Sequence, residues 1–185
     1  LVIKGKFYDA IIAYTLEQAQ KAFYKISAKW GLPIIVQQFI QGTEVNIAAL
    51  GDGLGNAISI IPMRKMYITD KGKAWAGITI EDDALISLTR TFVAATKWKG
   101  GFEIEIMKTA KNELFIMEIN PRFPAWIYLS AGAGQNQPAA LVKMAMGQKV
   151  EAFSEYEIGK LFIRYSWDLI TDVSNFQKIS SFGEL

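Results

Sequence analysis

Two short runs constrain this chain more than anything else in it: Glu103-Ile104-Glu105-Ile106-Met107 and Leu114-Phe115-Ile116-Met117-Glu118-Ile119-Asn120. Both read as β-strands, and Lys111-Asn112-Glu113 between them reads as the turn of a hairpin. In a strand, alternate side chains share a face. Glu103 and Glu105 therefore point one way, and Glu118 and Asn120 share a face of their own strand. Ile104, Ile106, Met117 and Ile119 point to the opposite faces. If the hairpin pairs the two runs, up to three carboxylates and an amide oxygen converge on one surface. Carboxylates crowded in this way repel one another, and burial raises the cost. A hard cation removes that cost, because Mg²⁺ takes oxygen ligands. A solvated acidic strand face is the alternative, and the residues alone leave both open.

Composition narrows the chemistry further. Cysteine and histidine are both absent from the 185 residues. Disulfides, thiolate metal sites, a cysteine nucleophile and the usual general base are thereby excluded. Any catalysis must run on carboxylates, Lys, Arg, backbone dipoles or a hard metal ion. Twenty basic and 18 acidic residues leave a net charge of +2, which is no field for nucleic acid or an anionic membrane. No run of about 18 apolar residues could span a bilayer. The chain opens inside an apolar strand-like run, Leu1-Val2-Ile3, without methionine. It reads as an excised domain or truncated product, and we expect a cytoplasmic setting.

Along the chain, Leu1 to Ile3 reads as a strand. Thr15 with Gln18 forms a capping-box pattern for a helix carrying Ala19, Ala22, Phe23 and Ile26, stopped by Gly31 and Pro33. Strands are expected over Ile34 to Ile40, Glu44 to Leu50 and Ala57 to Ile61, the last two joined by an Asp52-Gly53 turn. Met63 to Trp75 is polar, Lys-rich and without periodicity, and reads as a long loop. A brief strand follows at Ile78 to Ile80, then a helix from Asp82 or Asp83 to about Trp98. After the hairpin come a helix over Gln137 to Met146 and a strand over Gly159 to Tyr165. The pattern is α+β, with antiparallel sheets.

Three further features bear on chemistry. Arg122, in Asn120-Pro121-Arg122-Phe123-Pro124, lies just past a strand end, where its guanidinium suits a phosphate or carboxylate. Glu44 projects at the mouth of a strand-Gly-strand turn, where a carboxylate suits a pair of sugar hydroxyls. Among the tryptophans, Trp126 and Trp75 stand out as candidates for substrate contact.

Taken in order, these pieces resemble the ATP-grasp superfamily: a strand ending in Lys, a hinge of the form VQQFIxGxE, a carboxylate strand, then ExNPR. The ExNPR form is most similar to the carbamoyl-phosphate-synthase and biotin-carboxylase branch. The resemblance covers roughly Leu1 to Gly147, and Glu105 and Glu118 stand 13 positions apart, as suits that family's two metal-binding acids. It implies two α+β lobes with ATP between them. It implies that Lys4 touches the α- and β-phosphates, and that the backbone of Gln37, Gln38, Phe39 and Ile40 reads the adenine edge. Glu44 would bind ribose. Glu105, Glu118 and Asn120 would hold one or two Mg²⁺ (or Mn²⁺) ions. Arg122 would face the transferred phosphate or the acyl group, and Lys65 the γ-phosphate, with the Met63 to Trp75 loop closing over them.

The chain also departs from the family pattern. Lys4-Gly5-Lys6-Phe7-Tyr8-Asp9-Ala10 is short for a phosphate loop and holds one glycine, so Lys6 and Lys71 are candidate substitutes. Gln38 stands where the family often has Glu. By analogy, residues 1–61 form a partial N-terminal lobe with the hinge, 62–150 the metal-binding lobe, and 151–185 an extension. The implied activity is that of a carboxylate-amine ligase working through an acyl phosphate, with this stretch inactive by itself. Another ATP-dependent carboxylase or kinase, or a non-catalytic nucleotide-binding module, remains open. Partners would be small-molecule carboxylates and amines, with homo-oligomerisation open.

Overall fold

The computed structural model describes residues 2–4, 10–68, 74–166, 168 and 170–183. The first element, β1 (Val2–Lys4), lies between β2 (Ala10–Ile12) and β3 (Ile35–Gln37), antiparallel to both. Helix α1 (Leu16–Trp30) joins β2 to β3 and buries Ala19, Ala22 and Ile26. Its start follows the capping pattern. Thr15 Oγ1 accepts from the Gln18 N–H at 3.2 Å, while Gln18 Oε1 reaches back to the Tyr14 N–H at 2.8 Å. Gly31 ends the helix at φ 72°, in the left-handed region that glycine enters without steric cost.

The remaining strands are β4 (Thr43–Asp52), β5 (Ala57–Ile68), β6 (Ala74–Thr79), β7 (Lys99–Lys108), β8 (Leu114–Asn120) and β9 (Leu161–Ile163). They form one six-stranded antiparallel sheet, ordered β8-β7-β4-β5-β6-β9. Helix α2 (Asp83–Thr96) covers one face with Leu85 and Val93. Beneath it Val45, Ile47, Ala49, Ile60, Phe102, Ile104 and Ile106 form the largest buried cluster. Asp82 caps α2 through the N–H groups of Ala84 and Leu85 and also pairs with Lys108. Helices α3 (Tyr128–Gly132) and α4 (Gln137–Ala145) lie on the other face. There Trp126, Leu129 and Ala133 pack on Ala48, Ile61 and Met63. Helix α5 (Val173–Phe182) closes the described chain. No helix among the described residues is long and apolar enough to cross a membrane.

Two expectations require correction. Met63 to Trp75 is not one long loop. β5 continues through Ile68, β6 begins at Ala74, and Met63 is wholly buried. Residues 69–73 lie outside the described residues, as do Lys6 and Lys71. The strand was hidden because it carries charge on both faces: Arg64 and Lys65 project to opposite sides. A register shift between Lys65 and Tyr67 then breaks the period of two. A division at residue 61 would likewise cut β5. The chain changes sheet earlier, across residues 38–42, so β4 and β5 belong with β7 and β8. The terminal segment also returns to this sheet, through β9 against β6.

Gly42 closes the 38–42 connection against β7. A Cβ there would stand 2.4 Å from the Lys108 carbonyl oxygen and 3.1 Å from Met107 Cγ. Backbone cannot give way as a flexible side chain can. Gly42→Ala is therefore expected to lower the unfolding free energy by about 1–3 kcal/mol. Urea denaturation measures this, and an unchanged midpoint would mean that the connection is not held at this contact.

Candidate functional site

The face that α3 and α4 only half cover carries the charged residues. On β4 it presents Glu44, Asn46 and Ala48, and on β7 Met107, Glu105 and Glu103 opposite them in that order. The next strand places Glu118 opposite Glu105 and Asn120 opposite Glu103. A register shift after Glu105 makes this possible, since it leaves Met117 unmatched before Glu118. The carboxylate convergence expected from the alternation is present: directly paired residues on neighbouring strands share a face. From β5, opposite Asn46, Met63 fills the closed end and Lys65 lies beyond it.

Lys65 is the electrostatic centre of the open end. Its side chain is only 8% exposed, yet it pairs with Glu44 and, at 3.4 Å, with Glu105 Oε2. Burial pushes the Glu44 carboxyl above its ordinary value, opposed by the Lys65 ammonium beside it. Glu118 is exposed and has no hydrogen-bond or ion-pair partner among the described residues. Asn120 donates through Nδ2 to Glu103 and Glu105, each at 3.4 Å, and its Oδ1 accepts from Arg122 at 3.3 Å.

Glu103 differs from its neighbours. It is 4% exposed and accepts from Trp126 Nε1 and Asn46 Nδ2, each at 2.9 Å. Arg122 Nη1 stands 3.6 Å from its second oxygen. This acid therefore anchors the closed end of the site. Trp126 is buried with its N–H spent on Glu103, which removes it from direct substrate contact. Nothing local in the sequence announces this link, because Trp126 returns to the sheet only through the turn after Arg122.

The other expected residues fall as follows. Gln37 ends β3 and Gln38, Phe39 and Ile40 follow it in the connection; Gln37, Gln38 and Phe39 are exposed. The backbone of residues 38–41 makes no hydrogen bond to other described residues. Lys4 ends β1 and its side chain lies outside the described residues. Trp75 is exposed on β6. Two residues of this face escaped notice in the sequence: Met107, which continues the Glu103–Glu105 series toward the connection, and Asn46.

Three features of the donor set suit a divalent cation. Four carboxylates, Glu44, Glu103, Glu105 and Glu118, face two described cations, Lys65 and Arg122, so the surface carries excess negative charge. Its donors are all oxygen, as a hard ion requires. Asn46 Oδ1 is buried directly opposite Glu105 and has no hydrogen-bond partner among the described residues. No group of three acidic side chains among the described residues could hold an ion by itself. The arrangement thus fits an ion held by two carboxylates and an amide with outside oxygens completing its shell, as phosphate-bound Mg²⁺ is held.

Comparison with known proteins places the fold. The structure superposes on the biotin carboxylase domain of Hydrogenobacter thermophilus 2-oxoglutarate carboxylase, in complex with MgADP, ADP and bicarbonate, with a TM-score of 0.66 at 14% identity, over 86% of this chain and 39% of that one. Phosphoribosylglycinamide synthetase from Anaerococcus prevotii gives 0.66 at 16%, over 86% and 44%. N5-carboxyaminoimidazole synthetase from Staphylococcus aureus gives 0.63 at 15%, over 86% and 43%. The chain thus spans less than half the length of each. At these identities the likeness is one of fold, the α+β ATP-grasp fold. No curated protein matches the sequence. Residues 32–162, well over half the chain and including β4 to β8 with the charged face, match the family described as ATP-grasp in the biosynthetic pathway with Ter operon, and the chain belongs to that family.

Proposed function

We propose that this chain supplies the ATP- and Mg²⁺-binding part of a ligase that activates a carboxylate as an acyl phosphate for attack by an amine. The observation that carries the reading is the direct cross-strand pairing of Glu105 with Glu118. Two adjacent carboxylates, one of them unpartnered, are costly unless a cation joins them. The Hydrogenobacter domain binds MgADP on the same fold, which supports a nucleotide here.

In this reading the adenine lies at the 38–41 backbone, whose N–H and C=O groups make no hydrogen bond to other described residues and suit its edge, with Met107 offering apolar surface beneath. Glu44 exchanges Lys65 for the ribose hydroxyls, and Lys65 turns to the terminal phosphate. The family resemblance assigns Lys4 to the inner phosphates. Glu105, Glu118 and Asn120 would hold the cation, which would supply charge neutralisation for the transferred phosphoryl group. Arg122 faces the γ-phosphoryl group. A carboxylate oxygen of the acceptor attacks the γ-phosphorus and ADP leaves. The amine nitrogen then attacks the acyl carbon and inorganic phosphate leaves. No protein nucleophile is needed, so the lack of Cys and His is no obstacle. The residues contribute alignment and charge stabilisation.

The test uses hydroxylamine as a surrogate amine. The intact protein with Mg-ATP and a panel of small carboxylates should release ADP only with its carboxylate, and yield that acid's hydroxamate. ADP release driven by an alcohol acceptor, with no hydroxamate, would replace the ligase reading with a kinase.

A further inference from the structure

Arg122 needs a reason to stay at the site. Its side chain is 60% exposed and follows a strand end, so nothing in its own packing fixes it. A free arginine loses rotamer freedom when a ligand captures it. The structure offers that reason in Glu103, which no step of the proposed reaction uses.

Glu103 is buried, and both of its oxygens are engaged. Trp126 Nε1 and Asn46 Nδ2 hold Oε1 at 2.9 Å. Both donors are themselves buried, so they fix the carboxylate's orientation. Oε2 is thereby left facing Arg122 Nη1 at 3.6 Å and Asn120 Nδ2 at 3.4 Å. Arg122 is tied further by the Asn120 Oδ1 and the Phe123 carbonyl, each at 3.3 Å. The chain of contacts runs from the closed core, through one buried charge, to the exposed guanidinium.

We infer that Glu103 is a positioning residue: supported by Trp126 and Asn46, it holds Arg122 in place and so gives the site its preference for a nucleotide with a terminal phosphate. This rests on the proposed nucleotide site. Arg122 then acts as a preformed clamp on the γ-phosphate, and the oxygens of Glu103 take no part in holding the cation. Gln at this position keeps an acceptor for Trp126 and Asn46 but withdraws the charge that faces Arg122.

Calorimetric titration of the intact protein with Mg-AMP-PNP and Mg-ADP reads the preference as a ratio of affinities. Glu103→Gln should reduce that ratio about five- to tenfold, the size of one charge-assisted contact loosened. Arg122→Ala should reduce it at least as much. In the Arg122→Ala background, Glu103→Gln should reduce it no further. Trp126→Phe, which removes the N–H from Glu103 together with part of the buried ring, should move the ratio the same way by a smaller factor, and serves if Glu103→Gln fails to fold. Equal losses for both nucleotides, an unchanged ratio, or the same drop without Arg122 would each overturn the inference while leaving the nucleotide site standing. No Mg-nucleotide binding by the unsubstituted protein would overturn both.

Discussion

Glu118→Gln is expected to lower Mg²⁺-dependent ATP turnover of the intact protein by two orders of magnitude or more, with thermal stability nearly unchanged. The two halves of this expectation come from one geometry. Glu118 is exposed and unpartnered among the described residues, so its charge contributes little to the fold. It also stands opposite Glu105, and relief of that like-charge pair makes the glutamine variant neutral or slightly stabilised. A metal-bridged phosphoryl transfer, in contrast, loses several kcal/mol of charge stabilisation without the ligand, and about 3 kcal/mol is roughly a hundredfold in rate. Turnover assays at saturating Mg²⁺, beside a melting curve, measure both. Wild-type turnover in this variant would remove Glu118 from the site.

The second large effect concerns Lys65. Lys65→Met should destabilise the protein by about 2 kcal/mol at neutral pH, because it leaves Glu44 and Glu105 facing each other, both half-buried, without a counter-ion. The loss should shrink in acid. The Glu44 carboxyl is already raised by burial, with Lys65 holding it down. Removing Lys65 raises it further. An acid raised in the folded state binds its proton more tightly there than in the unfolded chain. Its contribution to stability is fully present below the ordinary carboxylate value and is lost as pH rises through the raised one. Protonation of Glu44 therefore rescues Lys65→Met at low pH more than it helps the parent. Urea denaturation at pH 5 and pH 8 compares the two, and an equal deficit at both would show that the ammonium is not balancing these acids.

Much of the site could be read from the sequence because strand alternation carries it. Glu105, Glu118 and Asn120 are brought near one another by period-two geometry and a short hairpin, both local properties, whereas the register shift that sets Glu118 opposite Glu105 has no local signal. Two of the helices with side-chain caps, those at Thr15 and Asp82, were legible for the same reason. What escaped depended on contacts distant in sequence. From Met63 onward β5 reads as loop because one side carries exposed Arg64 while the other carries Lys65, whose described ion-pair partners are carboxylates from β4 and β7. Nothing local announces that a lysine will be buried. The role of Glu103 depends on Trp126 folding back through a turn and on Asn46 from a strand 57 residues earlier. The elements β2, α3 and α5 went unnoticed, the first two because pieces of three and five residues show too little periodicity to stand out.

The central claim is that one sheet face binds a nucleotide through a divalent cation held by Glu105 and Glu118. Titration of the intact protein with AMP-PNP, in excess Mg²⁺ and again in excess EDTA, tests it most directly. The account predicts saturable binding that weakens at least tenfold when the cation is removed, with Glu118→Gln behaving in Mg²⁺ as the parent does in EDTA. Equal affinity in both conditions, or no binding in either, would contradict it.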